Sequence, residues 1–390
     1  MDNFKTKDAF LEGKEIVLAL SGGIDSIVLL HYLHTHYPSN LRVIHCNHHL
    51  SQHCAEWATF CQTQCQSFNI PYTYIDLHLE GHVNIEENAR KKRYYSLSCN
   101  LKENEVLCTA HHQNDQAETL LLQLFRGSGV AGLASMPKIK SLGKGTHYRP
   151  LLNIGKSTLL KYAQAHKLSW IEDDSNTNPR FQRNFLRLNI FPKLETIYKN
   201  LTQSLARSTK HQAEALQLTK DLAKIDIETH QLLHDNRLNT KRLIKLKPYR
   251  IKNIIRYHIN NLNFLPPSDK VMQQILVLLS ARKDSNPLVT WGIFNVRRYR
   301  HELYFINTQT KPKPNNCPYY AEFKNINNFS IRYRNRGQRI KLLNKSHSQS
   351  LKKVLQEAGI PPWERNALKM YYIANELCAM ECIGYMTHAE

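Results

Sequence analysis

The segment EIVLALSGGIDSIVLLHYL, at residues 15–33, constrains the fold of this chain more than any other stretch. A short apolar run at 16–20 leads into two glycines among hydroxyl and carboxylate side chains, and a helix-like apolar pattern follows over 26–36. Strand, small-residue turn and helix in this order direct the backbone N–H groups of the turn at a phosphate. In the alternative interpretation the turn is merely tight, and Asp25 or Ser26 caps the helix. The complete S-G-G-x-D-S string favours nucleotide chemistry.

Strand-like and helix-like segments alternate through the first half of the chain. The strand-like runs lie at 16–20, 41–46, 72–77 and 106–110, and the helix-like segments at 26–36, 55–68, 84–103 and 115–125. This alternation predicts parallel βαβ units, and therefore an α/β fold with a doubly wound, mostly parallel sheet. Ligands of such sheets bind beyond the carboxyl ends of the strands, where SGGIDS and the TAHH of 109–112 both lie.

The length of 390 residues allows two or three domains, each with its own core. We expect a catalytic domain over 1–200, followed at 201–306 by a linker helix and a basic, mainly helical middle domain. Residues 307–318 include three prolines and are interpreted as a linker. Residues 319–390 are expected to form a small basic domain of mixed α/β type.

A large excess of positive charge indicates a polyanionic partner. The chain has 53 Lys and Arg against 32 Asp and Glu, a formal net charge of +21, which predicts attraction to nucleic acid through counterion release. Residues 237–300 contain 14 basic and two acidic residues, and 331–353 contain eight basic and no acidic residues. Solvated charged faces are the alternative. Aromatic rings that could stack on bases are interleaved with these charges. They are Tyr249, Tyr257, Trp291, Tyr299, Tyr304 and Tyr333.

Sequence composition also indicates the cellular compartment of the protein. No apolar run reaches the length of a membrane span, and residues 1–5 do not open a signal peptide. The nine cysteines are an odd number, which favours reduced thiols over disulfides. We therefore expect a cytoplasmic protein without a membrane partner. No protein partner is predicted, and a homodimer is left open.

Two later stretches combine acids, histidines and arginines. In TAHHQNDQAETLLLQLFRGSG, at 109–129, Asp115 and Glu118 have the three-residue spacing of a capping box, which is the local alternative. Two histidines and an acid pair just beyond an apolar strand favour a site at the sheet edge instead. EDDSNTNPRFQRNFLR, at 172–187, supplies arginines that would stabilise charge on a transferred phosphoryl or nucleotidyl group. Its alternative is a solvated loop.

The SGGxDS loop resembles that of the N-type ATP pyrophosphatases, the PP-loop superfamily, which cleave ATP between its α- and β-phosphates. The other motifs resemble one branch of it, the tRNA(Ile)-lysidine synthetases, and occur in the same order along the chain. They are HCNHHL at 45–50, IEENARKKRY at 85–94, AHHQNDQAET at 110–119, RGSGVAGLASM at 126–136, RPLL at 149–152, DDSNTNPRFQRNFLR at 173–187 and LKKVLQEAGIPPWER at 351–365. The resemblance spans nearly the whole chain, although the middle domain matches mainly in position and basic character.

The resemblance implies that the first loop binds ATP together with Mg²⁺. The expected ATP-binding residues are Ser21, Gly22, Gly23, Ile24, Asp25 and Ser26. Within this set, the two glycines let backbone amides approach the pyrophosphate, and Asp25 is placed to hold Mg²⁺.

The resemblance also implies catalytic residues outside the loop. Together with Asp25, the expected set is Arg90, His111, Asp115, Glu118 and Arg183. The two acids of this set are expected to receive the ammonium group of free lysine or a metal, and the two arginines to stabilise charge. The family pattern has two acids before the Gln, and here the first is Asn114. No Mg²⁺ role is therefore assigned to that position.

The implied reaction has two steps and three substrates. O2 of the wobble cytidine, in the CAU anticodon of tRNA(Ile), attacks the α-phosphate of ATP and displaces pyrophosphate. The ε-amine of L-lysine then attacks C2 of the adenylated base and releases AMP. A carboxylate near the amine is useful because lysine must lose a proton before it attacks.

Three other functions share parts of this pattern. A PP-loop tRNA thiolase should carry a reactive cysteine pair, and apart from Cys108 no cysteine lies close in sequence to 21–26 or 111–118. A small-molecule amide synthetase would not need the two basic segments. A non-catalytic RNA-binding protein would be expected to lose Asp25 or the acid pair, and both are present.

Overall fold

The computed structural model describes residues 4, 6–49, 52–77, 85–172, 178–179, 181–282, 286–309, 318–335, 337–342 and 347–386. Contacts between residues divide the chain into two compact units, Met1–Lys220 and Asp221–Glu390. Most of the linker predicted at 307–318 lies outside the described residues. Within the described part, no helix combines the length and apolar content needed to cross a membrane.

The first unit is built on one six-stranded sheet. Its strands are β1 (Ile16–Ala19), β2 (Leu41–Asn47), β3 (Tyr72–Asp76), β4 (Val106–Cys108), β5 (Ile139–Leu142) and β6 (Gly145–Tyr148). They lie in the order β3-β2-β1-β4-β6-β5, and every pairing is parallel except that of β5 with β6. The predicted α/β fold with a mostly parallel sheet is confirmed.

Helices alternate with these strands and follow them along the chain, and the last of the helices runs beyond Lys220 into the second unit. They are α1 (Ile24–His36), α2 (Cys54–Ser67), α3 (Ile85–Cys99), α4 (Gln113–Phe125), α5 (Val130–Leu133), α6 (Lys156–Ala165), α7 (Gln182–Phe185), α8 (Phe191–Ile197) and α9 (Leu201–Thr229). A π-helical turn, Leu186–Ile190, joins α7 to α8. The helices α1 and α4 begin earlier than predicted, at Ile24 and Gln113, and α3 ends earlier, at Cys99.

The central strand β1 is buried on both faces because helices cover both sides of the sheet. Ile16 and Leu18 belong to the core on one face, and Val17 belongs to the core on the other. Burial of each such side chain contributes about 1.5–3 kcal/mol. The chain leaves β1 towards β2 on one side and reaches β4 on the other. This reversal of strand order opens a crevice at the carboxyl ends of β1 and β4.

The second unit begins with a five-stranded antiparallel sheet. Its strands are β7 (Leu233–His234), β8 (Arg237–Asn239), β9 (Leu288–Trp291), β10 (Phe294–Tyr299) and β11 (Glu302–Asn307), in the order β7-β8-β11-β10-β9. Its helices are α10 (Thr240–Leu243), α11 (Pro248–Asn261) and α12 (Asp269–Leu278). The strand-like pattern at 288–306 is confirmed, whereas the short β7–β8 pair was not predicted.

The helix α11 shows how this basic segment forms a core. Ile251, Ile254, Ile255 and Ile259 are buried at helical spacing, while Arg256 is exposed. The apolar stripe packs inward and the charges remain on the other side.

A small mixed domain completes the second unit. Its strands are β12 (Phe329–Tyr333), β13 (Arg339–Ile340), β14 (Gln349–Ser350), β15 (Lys369–Ile373), β16 (Glu376–Met380) and β17 (Gly384–Tyr385), and its helices are α13 (Pro318–Phe323) and α14 (Leu351–Glu357). The strands β12, β15, β16 and β17 form one antiparallel sheet, and β13 pairs with β14.

The loop after α14 packs on the five-stranded sheet. The Trp363 ring meets the rings of Tyr304 and Tyr299 edge to face, with centroids 5.2 Å and 6.1 Å apart. The guanidinium carbon of Arg297 lies 5.0 Å from the Trp363 ring centre, and Arg365 Nη2 donates to the Tyr299 hydroxyl at 3.2 Å. These contacts hold the loop after α14 against the five-stranded sheet.

Candidate active site

The loop between β1 and α1 is closed by its own hydroxyl groups. Ser26 Oγ donates to the Gly23 carbonyl at 2.9 Å and lies 3.1 Å from Ser21 Oγ. Gly23 is the N-cap of α1, and no side chain of the described residues caps this helix. The capping role considered for Asp25 or Ser26 is therefore wrong. The first N–H groups of α1 stay available to an anion.

Gly22 allows a close approach at the centre of this loop. Its φ is +87°, and a Cβ there would lie 2.5 Å from Ile171 Cδ1 and 3.1 Å from Cys61 Sγ. The backbone of Ile171 donates to the Gly22 carbonyl at 3.0 Å. Only glycine fits both the backbone conformation and the space.

The approach of Cys61 to the loop was not expected from its position in the sequence. Burial raises the pKa of the Cys61 thiol to about 12, and burial also raises the pKa of Cys108. Since the thiolate is the nucleophile, burial lowers the reactivity of both groups, which does not favour the reactive cysteine pair expected of a thiolase.

His45, from the HCNHHL motif, fixes the end of β1. Its ring is buried, and burial lowers its pKa, so that the ring is neutral at pH 7. Nδ1 donates to the Leu20 carbonyl at 2.9 Å. This bond holds the backbone immediately before the loop.

A second turn, at the end of β4, presents the start of α4 to the same crevice. His112 is the N-cap: its Nδ1 accepts the Asn114 N–H at 3.2 Å, and its own N–H donates to Asp115 Oδ2 at 3.0 Å. The capping box thus pairs His112 with Asp115. The sequence alternative was a capping box between Asp115 and Glu118. Asp115 does take part in a capping box, but its partner is His112, and Glu118 takes no part.

The two turns meet through His112. Its Nε2 lies 3.4 Å from Asp25 Oδ2. Burial alone would raise the pKa of Asp25, but His112, Lys156 and Arg187 outweigh it and hold the pKa below its usual value. The other oxygen, Asp25 Oδ1, is buried and has no hydrogen-bond partner within the described residues.

Asn114 makes a structural contact through its side chain. Its Oδ1 accepts the backbone N–H of Lys156 at 3.1 Å, and Gln113 N–H donates to the Ile154 carbonyl at 3.0 Å. These bonds tie the start of α4 to the start of α6.

The acids of α4 have different surroundings. Glu118 is only 2% exposed, and Arg187 binds both of its oxygens, with Nε at 2.9 Å and Nη2 at 3.1 Å. Arg187 Nη2 also lies 3.8 Å from Asp115 Oδ1. Sequence reasoning missed Arg187, although it lies in the quoted NFLR stretch, four residues after Arg183.

The predicted arginines flank the acid pair. Arg183 Nη2 donates to Thr119 Oγ1 at 3.0 Å, one residue beyond Glu118. Burial lowers the pKa of Arg90, and the charge of Arg183 lowers it further. Burial alone would raise the pKa of Asp115, but His112, His111 and Arg183 together hold it below its usual value. The site therefore places the cations Arg90 and Arg183 near the ionised carboxylate of Asp115. Neither cation forms an ion pair among the described residues.

His111 lies behind the acids in a neutral network. Thr109 Oγ1 is 2.8 Å from His111 Nδ1 and 2.8 Å from His147 Nε2. Burial lowers the pKa of His111 well below 6.5, and burial with the charge of Arg149 lowers that of His147 to about 3. His111 thus offers a neutral hydrogen-bonding group.

The residues present suit a phosphate-bound Mg²⁺ better than a metal held by protein alone. The described residues contain no group of three or more His, Cys, Asp or Glu side chains that could hold a metal. Mg²⁺ is commonly bound by one or two carboxylates plus substrate phosphates. The partnerless Asp25 Oδ1 beside the loop meets that need.

Comparison with known families and proteins adds three matches along the chain. A profile described as the PP-loop domain matches residues 2–194. The TilS substrate binding domain matches 238–304, and the TilS substrate C-terminal domain matches 329–389. The first lies in the unit that contains the two turns. The second covers most of the five-stranded sheet, and the third covers most of the small mixed domain.

Curated relatives match over nearly the whole chain. The tRNA(Ile)-lysidine synthase of Coxiella burnetii is 36% identical, over 94% of this chain and 88% of that protein. Those of Nitrosomonas europaea and Pectobacterium atrosepticum are 35% and 34% identical, over 95% and 93% of this chain and 88% and 89% of theirs.

Proposed function

Because the chain belongs to the tRNA(Ile)-lysidine synthase family, we propose that it joins L-lysine to C2 of the wobble cytidine in tRNA(Ile). It is an ATP-dependent ligase that forms lysidine in the CAU anticodon and releases AMP and pyrophosphate. We propose that this reaction takes place in the cytoplasm, because its substrates are tRNA, ATP and free lysine.

ATP binds at residues 21–26. The uncapped N-terminus of α1 provides backbone N–H groups for its phosphates, and the open space over Gly23 lets a phosphate approach. Ser21 and Ser26 keep the loop in shape through their mutual contact. Asp25, whose Oδ1 has no partner among the described residues, would hold Mg²⁺ together with the ATP phosphates, and that ion would supply positive charge beside the leaving pyrophosphate.

In the first step the cytidine O2 attacks the α-phosphate. Negative charge grows on the transferred group, and Arg90 and Arg183 are the flanking cations that stabilise it. His111, which is neutral, donates or accepts a hydrogen bond without adding charge.

In the second step the ε-amine of lysine replaces AMP at C2. The lysine ammonium is attracted to the acid pair Asp115 and Glu118, and a carboxylate there accepts the proton that the amine must lose. The ionised state of Asp115 suits that role.

The basic segments at 237–300 and 331–353 contact the tRNA. Phosphate contacts there set position and affinity, and few base contacts carry identity. A pocket for ATP, lysine and one base does not distinguish two tRNAs with the same anticodon, so recognition extends beyond it.

One observation carries this proposal. The uncapped N-terminus of α1 lies beside the first turn of α4, which carries the ionised Asp115, and His112 contacts Asp25 between them. With ATP, labelled lysine and tRNA(Ile), the protein should release AMP and pyrophosphate and label the tRNA. Asp25→Ala should abolish all three products, because pyrophosphate loss precedes lysine attack.

Glu56→Ala, which changes an exposed carboxylate on α2, is the matched control and should retain full activity. A tRNA without the wobble cytidine should give no products. Release of ADP in place of AMP would contradict the proposal.

A further inference from the structure

Among the described residues, the site contains the carboxylates of Asp25, Asp115 and Glu118, and the last of these is already paired with an arginine. Glu118 is buried and receives two charge-assisted hydrogen bonds from Arg187. A bidentate Arg–carboxylate pair of this kind is strong and geometrically specific. To take a lysine ammonium, Glu118 would have to give up this partner.

Asp115 differs from Glu118 in its spare bonding capacity. Its side chain is 13% exposed, and Oδ2 accepts the His112 N–H. Oδ1 faces Arg187 Nη2 at 3.8 Å, which is beyond hydrogen-bond distance. Asp115 Oδ1 therefore accepts no hydrogen bond among the described residues, and it can take an incoming ammonium while Arg187 stays bound to Glu118.

The chain holds Arg187 in this position by an unusual turn. Arg187 lies in the π-helical segment Leu186–Ile190, whose first residue is buried in a cluster with Ala117 and Leu121 of α4. One helical turn earlier, Arg183 binds Thr119. The two arginines thus bind successive residues of α4, and π-helical turns occur frequently at functional sites.

We propose that Arg187 is a positioning residue that holds Glu118, so that Asp115 alone receives the lysine ammonium and accepts its proton. The proposal rests on the proposed function. The ε-ammonium transfers one proton to the Asp115 carboxylate, and the amine lone pair forms the bond to C2. AMP leaves with the electrons of the C2–O bond, and its phosphate takes the second proton that the nitrogen loses. Glu118 and Arg187 remain paired throughout.

The test separates cytidine adenylation from lysine attack in single-turnover assays of the full chain. Asp115→Asn should slow lysine attack by roughly 100-fold or more and raise the KM for lysine. Arg187→Gln should slow it by roughly tenfold or more, because it leaves Glu118 as an unpaired buried charge. Adenylation should persist in both variants.

The decisive variant is the double change Glu118→Gln with Arg187→Gln. It removes both charges together and leaves no unpaired charge, so lysine attack should be faster than in Arg187→Gln alone. Arg126→Gln, which changes an exposed arginine at the end of α4, is the matched control and should have no effect.

The opposite pattern would overturn the proposal. If the double variant loses lysine binding as completely as Asp115→Asn does, Glu118 itself holds the lysine and Arg187 merely occupies the place of the ammonium. Arg187→Lys should keep part of the activity if the pair only positions, and loss as complete as in Arg187→Gln argues against it. Failure of the unmodified protein to form lysidine would instead refute the proposed function.

Discussion

Gly22 and Gly23 are neighbours with opposite spatial surroundings. A Cβ at Gly22 would collide with Ile171, whereas a Cβ at Gly23 would meet only Ser21 Oγ, at 3.9 Å. One glycine is required by the folded chain itself, and the other leaves open space over the helix N-terminus. Glycine at position 22 is therefore needed for folding, whereas glycine at position 23 is needed only to leave room for a ligand.

These surroundings predict a split between two alanine variants. Gly22→Ala should lower the free energy of unfolding by roughly 1–3 kcal/mol, because it combines a positive φ with a steric clash. Gly23→Ala should leave stability almost unchanged but weaken ATP binding, because its methyl group occupies the approach of the phosphate. Thermal melts with and without ATP measure both effects. Equal stability losses in the two variants would contradict this distinction.

The contacts of Arg187 and Cys61 show what the sequence could not predict for single residues. Arg187 pairs with Glu118 across many intervening residues, and the pairing depends on a π-helical turn that no periodicity signals. Cys61 reaches Gly22 only because α2 packs under the loop. By contrast, the strand–turn–helix around 21–26 was predictable, because its small residues and apolar periods are local.

The helix α4 is the element on which most of the predicted site depends. Its capping box pairs His112 with Asp115, so the same carboxylate that faces the crevice also fixes the first turn. The hairpin of β5 and β6 was missed because its strands are short and partly exposed, without an apolar alternation. Long amphipathic helices and buried strands were predicted more successfully because their patterns extend over many residues.

This double use of Asp115 predicts a pH-dependent stability difference. The pKa of Asp115 is lower in the folded protein than its usual value of about 3.9. Its stabilising contribution is therefore present above that value and is lost as the pH falls through the folded pKa. Asp115→Asn should cost about 1 kcal/mol at pH 7, and the gap in Tm should close below about pH 4. A gap that does not change with pH would contradict this.

The first basic segment of the second unit is held to the loop after α14 by aromatic contacts around Trp363. The Trp363 ring packs against Tyr299, Tyr304 and Arg297, and α14, which precedes this loop, begins within the segment at 331–353. If both segments bind one tRNA, a fixed spacing between them reduces the conformational entropy lost on binding. Removal of residues 312–390 would mix two effects, because it deletes cations and also uncovers Tyr299 and Tyr304.

Two point variants distinguish the effect of the spacing between the basic segments on tRNA binding from the effect of their positive charge. Trp363→Ala keeps every cation, so it should weaken tRNA binding while the slope of log K against log salt stays the same. Lys352→Gln, which changes an exposed residue of α14, should reduce that slope by about 1 if Lys352 contacts a phosphate. Filter binding at several salt concentrations measures both. A changed slope for Trp363→Ala would show that the aromatic contacts do not act through spacing.

The pairing of β1 with β4 also has a consequence for how the protein reaches its working form. Ile16 pairs directly with Val106, and Arg187 must then reach α4. Contacts between such distant parts of the chain are slow to form, because loop closure costs entropy before any contact compensates it. During synthesis, the loop at 21–26 thus emerges early but lacks β4, α4 and the flanking cation Arg183 until the chain has grown beyond them. Unfinished chains would then be unable to consume ATP on a tRNA that they could not modify.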